Sequence, residues 1–251
     1  VLLIVLRNFP FPGEAAPDPA KDAAAVESEL LVTDYVTVEK RLERMAEERK
    51  KGKKGDGAEQ ELLELAKSSL EENRPLRGEK KIASAPQLRG FGLLSAKPAL
   101  LIVNSPDDAD DSFAIASSLP QMTLRGSLEA EISRLDPGEA SEFLADYGLS
   151  EPGRSRVVKT VYSMMELISF FTVGEDECRA WTVSRGEDAL AAAGKIHSDI
   201  RKGFIRAEVV SFDDFKACGG FNEAKKKGLF RLEGKTYVVA DGDIVHFRFN
   251  V

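Results

Sequence analysis

Ala99-Leu100-Leu101-Ile102-Val103-Asn104-Ser105-Pro106-Asp107 is the stretch whose reading decides the fold. Five apolar residues in a row, closed by Asn-Ser-Pro-Asp turn chemistry, read as a strand buried on both faces, the kind found in parallel sheets covered by helices. Val1-Leu2-Leu3-Ile4-Val5-Leu6 has the same character. Two such strands with helical segments between them indicate an α/β domain of the doubly wound type.

Working outward, residues 8–19 carry four prolines and are expected as loop. Asp22 is a candidate cap, and helical patterning begins at Val26. Leu31, Tyr35, Val38, Leu42 and Met45 then recur at alternating spacings of four and three, which is a heptad seam. Gly52-Lys53-Lys54-Gly55-Asp56-Gly57 interrupts it, and a second helix is expected from Ala58 to Asn73 with Leu62, Leu65 and Leu70 on its apolar side. The pair reads as an antiparallel helical hairpin inserted into the α/β domain. Beyond Asn104, helices are expected from Ser127 to Leu135, from Pro137 to Tyr147, and from Pro152-Gly153 through Ile168. Past Phe171 short strands dominate: Arg179–Val183, Phe204–Val210, Tyr237–Val239 and Ile244–Phe249. One helix, Ala189–Ile196, lies among them with Asp188 as its cap. That pattern describes a small α+β domain.

The 251 residues leave room for one large domain or two small ones. Apolar residues at 43% and charged residues at 31%, with both signs present, are those of a soluble globular protein. The net charge of −7 argues against coating nucleic acid by bulk charge. Two cysteines, Cys178 and Cys218, make neither a disulfide framework nor a four-thiolate zinc site, so a reduced, cytoplasmic setting is expected. The apolar opening is shorter than a secretory core and is interrupted by Arg7, so no membrane partner is expected.

Chemistry-bearing patterns are sparse. Gly228-Leu-Phe-Arg-Leu-Glu-Gly234-Lys235-Thr236 approaches a phosphate-binding loop, but it has one residue too many between the glycines and strand-like sequence after it. Asn104 with Asp107 three residues on could present an amide and a carboxylate to a purine edge, or could simply end the strand as an Asx turn. His197 and His246 lack a nearby nucleophile in sequence. Asp107, Asp108, Asp110 and Asp111 read as a solvated loop, and Asp241-Gly242-Asp243 as a turn. No spacing resembles a zinc or calcium signature. Arg179, Arg185, Lys195, Arg201, Lys202, Arg206 and Lys225–Lys227, interspersed with Trp181 and several phenylalanines, give the last domain some positive surface.

Arg179-Ala-Trp-Thr-Val, Ala193-Gly-Lys-Ile-His, Lys202-Gly-Phe-Ile-Arg-Ala-Glu-Val-Val-Ser-Phe-Asp-Asp-Phe and Asp241-Gly-Asp-Ile-Val-His-Phe-Arg-Phe-Asn-Val together resemble the C-terminal TGS domain of the YchF/Obg-like ATPases. Val5-Leu-Arg-Asn-Phe, Leu94-Ser-Ala-Lys-Pro, Leu128-Glu-Ala-Glu-Ile, Glu151-Pro-Gly and Phe170-Phe-Thr-Val-Gly-Glu extend the resemblance over the whole chain. It implies an incomplete nucleotide-binding (P-loop, G-type) domain over 1–25 and 78–170, an inserted helical coiled-coil hairpin over 26–77, and a β-grasp TGS domain over 171–251. It further implies ATP binding in preference to GTP and association with the ribosome or RNA through the TGS domain, with no role for DNA. The family's Asn-x-x-Glu base motif reads here as Asn104-Ser-Pro-Asp107, and its Ser-Ala-Lys-type loop as Arg125-Gly126-Ser127. Asn104, Asp107 and Gly126 are therefore the expected nucleotide contacts. In the family the Walker A loop and switches precede the strand at Val1, so the chain reads as cut after its phosphate-binding half. It is then not expected to hydrolyse nucleotide alone, to contribute catalytic residues or to hold Mg2+ without that part. The alternative is a non-catalytic adaptor that binds RNA, ribosome or protein through the TGS domain.

Overall fold

The computed structural model describes residues 1–52, 55–109, 113–174 and 177–250, in two compact units, Val1–Val157 and Val158–Val251. In the first unit β1 (Leu2–Arg7), β2 (Ala99–Asn104) and β3 (Gln121–Leu124) form a parallel sheet in that order. The central strand β2 is buried from Ala99 to Val103, as its unbroken apolar run requires. Ile4, Leu6, Leu101, Val103, Ala23 and Ile115 form the core on one face. β3 escapes the sequence pattern because Gln121 and Thr123 serve local hydrogen bonds, to Ile115 and Phe113.

Helix α1 (Pro19–Lys50) starts before the expected Val26. Asp18, not Asp22, is its cap, accepting from the Lys21 N–H at 3.1 Å, and Pro19 enters the first turn with φ already set. On α1 Leu31, Val38 and Met45 are buried and Tyr35 and Leu42 pack beside them. They meet Leu63, Ala66 and Leu70 of α2 (Gly57–Glu71). Leu65, expected on that face, is exposed, and Leu63 occupies the buried position instead. Cross-contacts Tyr35–Glu71, Glu39–Lys67 and Arg41–Glu59 show that the two helices run antiparallel. A short helix α3 (Lys80–Ala83) and flanking 3-10 turns close this cluster with Leu76, Ile82 and Leu88. Asp34 on α1 is 2% exposed. Its carboxylate accepts from the Leu94 and Ser95 N–H groups at 2.8 and 2.7 Å and from the Ser95 hydroxyl at 2.6 Å, fixing the turn that leads into β2.

After β3 come α4 (Gly126–Ile132), α5 (Pro137–Asp146) and α6 (Gly153–Met164). Leu128, Ile132 and Leu144 pack α4 on α5, and Asp136 caps α5 through the Gly138 and Glu139 N–H groups. Helix α6 stops at Met164 rather than continuing through Ile168. Glu166 takes a left-handed φ of 51°, which an α-helix cannot continue through. Residues beyond it alternate in burial as strand β4 (Leu167–Val173), which the helical reading had concealed.

The second unit continues with β5 (Cys178–Ser184), α7 (Ala189–Ile196), α8 (Ser198–Lys202), β6 (Phe204–Ser211), α9 (Phe212–Cys218), α10 (Phe221–Lys226), β7 (Arg231–Glu233) and β8 (Asp243–Phe249). The mixed sheet runs β5-β4-β8-β6-β7, with β4 and β8 parallel and the other neighbours antiparallel. Phe170, Val183, Ala207, Val209, Val245 and Phe247 pack against Ala189, Ala192 and Ala193 of α7, whose small side chains let the helix lie close. The cap of α7 is Asp188, as expected, accepting from Ala191 N–H at 2.7 Å. Tyr237–Val239 is not a strand. It makes one isolated bridge, Asp188 to Val238, while Arg231–Glu233 pairs with β6.

That irregular segment is anchored by Asp243, 2% exposed, which accepts from the Tyr237 hydroxyl at 2.7 Å and the Ala240 N–H at 2.9 Å. Burial, then the hydrogen bond to this carboxylate, pushes the Tyr237 phenol up to about 12. Raised in the folded state, it contributes stability in full below its unfolded value of about 10 and loses it as pH rises through about 12. In a 295 nm titration one of the four tyrosines is therefore expected to ionise last, near pH 12, and Tyr237→Phe to remove that step. The same change lowers stability by about 1–2 kcal/mol by leaving a buried carboxylate short of a donor.

Candidate functional site

Parallel pairing places the C-terminal ends of β1 and β2 side by side, with Arg7 opposite Asn104. Open parallel sheets bind ligands at this edge. The Asn8 N–H donates to the Asn104 carbonyl at 2.8 Å, and the Asn8 Nδ2 to the buried Ser105 hydroxyl at 3.0 Å. Asn8 thus ties the loop after β1 to the turn after β2. Sequence reading missed it, although its position just past an identical apolar run was the available signal.

The structure brings the three expected residues together. The Gly126 N–H donates to Asn104 Oδ1 at 2.9 Å, and the Leu128 N–H to Asp107 Oδ1 at 3.2 Å. Both acceptors stand at the first turn of α4, so the turn after β2 and the start of α4 are stitched to each other through side chains. Asn104 and Gly126 are half-buried and Asp107 is exposed. A Cβ on residue 126 would lie 2.7 Å from Asn104 Oδ1 and 3.0 Å from its Nδ2. Only glycine lets the α4 backbone come this close. With Oδ1 engaged by Gly126, the Asn104 amide is oriented and its Nδ2 is the donor that remains. Asp107 keeps a second oxygen as an acceptor. An oriented amide donor beside a carboxylate matches the ring nitrogen and exocyclic amine of a purine.

Arg125 extends along the same turn, its Nη1 3.4 Å from the Asp107 carbonyl. One shell further out, both Glu129 oxygens accept from the Gly153 N–H, at 2.8 and 2.7 Å, and Arg156 approaches at 3.6 Å. The first turn of α6 is therefore held by α4.

Other sequence candidates fall elsewhere. His197 caps α8, its Nδ1 accepting from the Asp199 N–H at 3.2 Å. His246 is exposed on β8, opposite Glu208. Gly228–Thr236 contains β7 and a turn, with no following helix. Asp241 accepts from the Ser169 N–H, and Asp243 serves Tyr237, so the Asp-Gly-Asp turn is structural. Asp110 and Asp111 lie outside the described residues. Among those described, no group of three or more His, Cys, Asp or Glu side chains is placed to hold a metal ion, and no helix is long and apolar enough to cross a membrane.

Comparison with known proteins points in one direction. Residues 167–250 match the family model YchF-GTPase_C, described as a protein of unknown function (DUF933). The chain is 38% identical over 247 residues to the ribosome-binding ATPase YchF of Bacillus subtilis (strain 168), covering 93% of this chain and 68% of that protein. It is 37% identical over 248 residues to the protein of the same name from Escherichia coli O157:H7, covering 93% and 67%. Among solved structures it is similar to the YchF GTPase of Schizosaccharomyces pombe, with a TM-score of 0.75 and 27% identity over 98% of this chain and 71% of that one. A GTP-binding protein from Pyrococcus horikoshii OT3 shares the fold, with a TM-score of 0.58 and 16% identity over 99% of this chain and 77% of that one.

Proposed function

This chain belongs to the YchF family, and from that premise we propose that Asn104, Asp107 and Gly126 form the base-recognition part of a nucleotide site in a ribosome-associated protein. The observation that carries the proposal is the Gly126 N–H bonded to Asn104 Oδ1, which orients the amide and brings the Arg125-Gly126-Ser127 loop beside it. Both purines offer an exocyclic amine or ring N–H to Asp107; of the family's Asn-x-x-Glu motif, to which its preference for ATP over GTP is tied, Asn104 is kept and Asp107 stands in place of the glutamate. The relatives named as ATPases and the fission-yeast relative named a GTPase fit a purine nucleoside triphosphate as ligand class.

The reading carries a division of labour. Residues 1–25 and 78–170 serve as the nucleotide-binding part, 26–77 as an inserted coiled-coil hairpin, and 171–251 as a β-grasp TGS domain through which the protein meets ribosome or RNA. Two separate apolar clusters in the first unit, one under the sheet and one between α1 and α2, support treating the helices as an insertion. The central parallel pair β4–β8 with α7 on one face supports the β-grasp reading. A ribosome-associated role accords with a cytoplasmic setting, as the names of the relatives support.

Within these 251 residues there is no Gly-x4-Gly-Lys-Ser/Thr. Phosphoryl transfer rests on backbone and lysine contacts to the β- and γ-phosphates and on Mg2+, so these residues alone bind the base weakly and do not turn over nucleotide. Gly126→Ala is expected to displace the Asn104 amide and to abolish whatever adenosine binding the chain shows, read by calorimetry, while the far-UV spectrum stays unchanged. Unaltered binding in that variant counts against the site.

The departure of Arg125-Gly126-Ser127 from the family's Ser-Ala-Lys pattern favours a second reading, an adaptor that binds ribosome or protein without nucleotide control. Co-sedimentation with ribosomes at moderate salt, with and without ATP, separates the two. Pelleting that ignores ATP and Asn104→Ala supports the adaptor; failure to pellet removes both.

A further inference from the structure

In the second unit, an open groove of about 680 Å3 lies between the end of the sheet and the α7–α8 corner. Its volume is within the ~300–1,000 Å3 typical of sites that hold small organic groups. Trp181, Phe247 and Phe249 line the sheet side, and Ile196, His197 and Ile200 the helical side. The Arg179 guanidinium stacks on the Trp181 ring, 4.2 Å from its centroid, and Arg179 is exposed. The indole N–H is already spent on the Thr172 hydroxyl at 2.9 Å.

We propose that this groove binds an unpaired nucleotide of single-stranded RNA, the base stacking on the Arg179–Trp181 pair. The inference rests on the ribosome-associated reading above and names the surface and chemistry of that contact. A guanidinium plane backed by an indole is a flat, extended platform of the kind that unstacked bases occupy. Because the indole N–H is engaged, the indole offers its face and not a donor, and stacking on that face is tolerant of sequence. The helices forming the other wall carry Lys195, Arg201 and Lys202, all exposed, against the single acid Asp199. Asp199 approaches His197 at 3.4 Å and Lys202 at 3.8 Å, and among the described residues neither Lys195, Arg201 nor Arg179 has an ion-pair partner. These cations fit the phosphates flanking a stacked base. Among the described residues Glu177 is the acid on the sheet-side rim, and the basic set outweighs it.

Trp181 is the only tryptophan of the chain, so it reports its own occupancy. The experiment titrates the full chain with a single-stranded RNA of about ten nucleotides, following Trp181 fluorescence and, with labelled RNA, anisotropy. Saturable quenching is expected, weakening steeply with salt, with little effect from the same sequence as a duplex. Arg179→Ala and Arg179→Lys are both expected to weaken binding roughly tenfold, since lysine keeps the charge but lacks the plane. RNA that binds without quenching, RNA that does not bind, or an Arg179→Lys variant with unchanged affinity would each overturn the proposal. Ribosome co-sedimentation is run in parallel. A chain that pellets but shows no RNA-dependent quenching overturns the groove and spares ribosome association; quenching without pelleting does the reverse.

Discussion

Asp34→Ala is expected to lower the unfolding free energy of the first unit by about 3–5 kcal/mol. Asp34 is 2% exposed and receives three hydrogen bonds, two from backbone N–H groups and one from a hydroxyl. Removing the carboxylate leaves those donors inside with nothing to accept them, and each such loss costs ~1–3 kcal/mol. The Ser95 hydroxyl also receives the Leu76 N–H at 3.4 Å, so the damage spreads to the turn that follows α2. Since whole domains are stable by only ~5–15 kcal/mol, this is about a fifth of the total or more. Urea unfolding followed by far-UV circular dichroism should show an early transition in the variant. Trp181, which lies in the second unit, should keep its wild-type midpoint. A variant whose midpoints match wild type would mean that the carboxylate is not the clamp described.

Gly203→Ala should do the converse. A Cβ at residue 203 would lie 2.0 Å from the Asn250 carbonyl oxygen, 2.8 Å from its carbon and 3.1 Å from its nitrogen, all backbone. Gly203 has an ordinary φ of −87°, so the requirement is space and not conformation. Its carbonyl accepts from the Asn250 N–H at 3.0 Å, tying the start of β6 to the end of β8, where Phe204 pairs with Phe249. Backbone cannot yield as a flexible side chain does, so the substitution must part the two strands. The expected cost is about 3 kcal/mol, the upper part of the range for overpacking. Here the Trp181 transition moves to lower urea and the first unit's transition stays. Equal Trp181 midpoints in wild type and variant would contradict the close approach.

How much of this was legible beforehand depended on whether a residue's role was local. The apolar run of β2 announced a parallel sheet because a strand buried on both faces leaves no alternative pattern. β1 carries the same kind of run and pairs with it in parallel, but only Ile4 and Leu6 are buried, while Leu3 and Val5 are 47% and 65% exposed on its other face. The Asp188 cap was readable because its partner is three residues away. β4 was not, because Leu167-Ile168 continues the apolar spacing of α6 and only the left-handed Glu166 breaks the helix. The short helices α8, α9 and α10 were lost among turn-like residues. At the site, Asn104 and Asp107 could be proposed from spacing, but not their partners, the Gly126 and Leu128 N–H groups, which lie 22 and 21 residues further along the chain. The contacts of Asn8 and Glu129 were not legible because their partners are 97 and 24 residues distant.

Calorimetric titration of the chain and its Asn104→Ala variant with ATP tests the central claim most directly. The predicted result is binding no tighter than about millimolar, equivalent to ~4 kcal/mol, abolished by Asn104→Ala. Micromolar binding, or weak binding that Asn104→Ala leaves unchanged, would contradict the account.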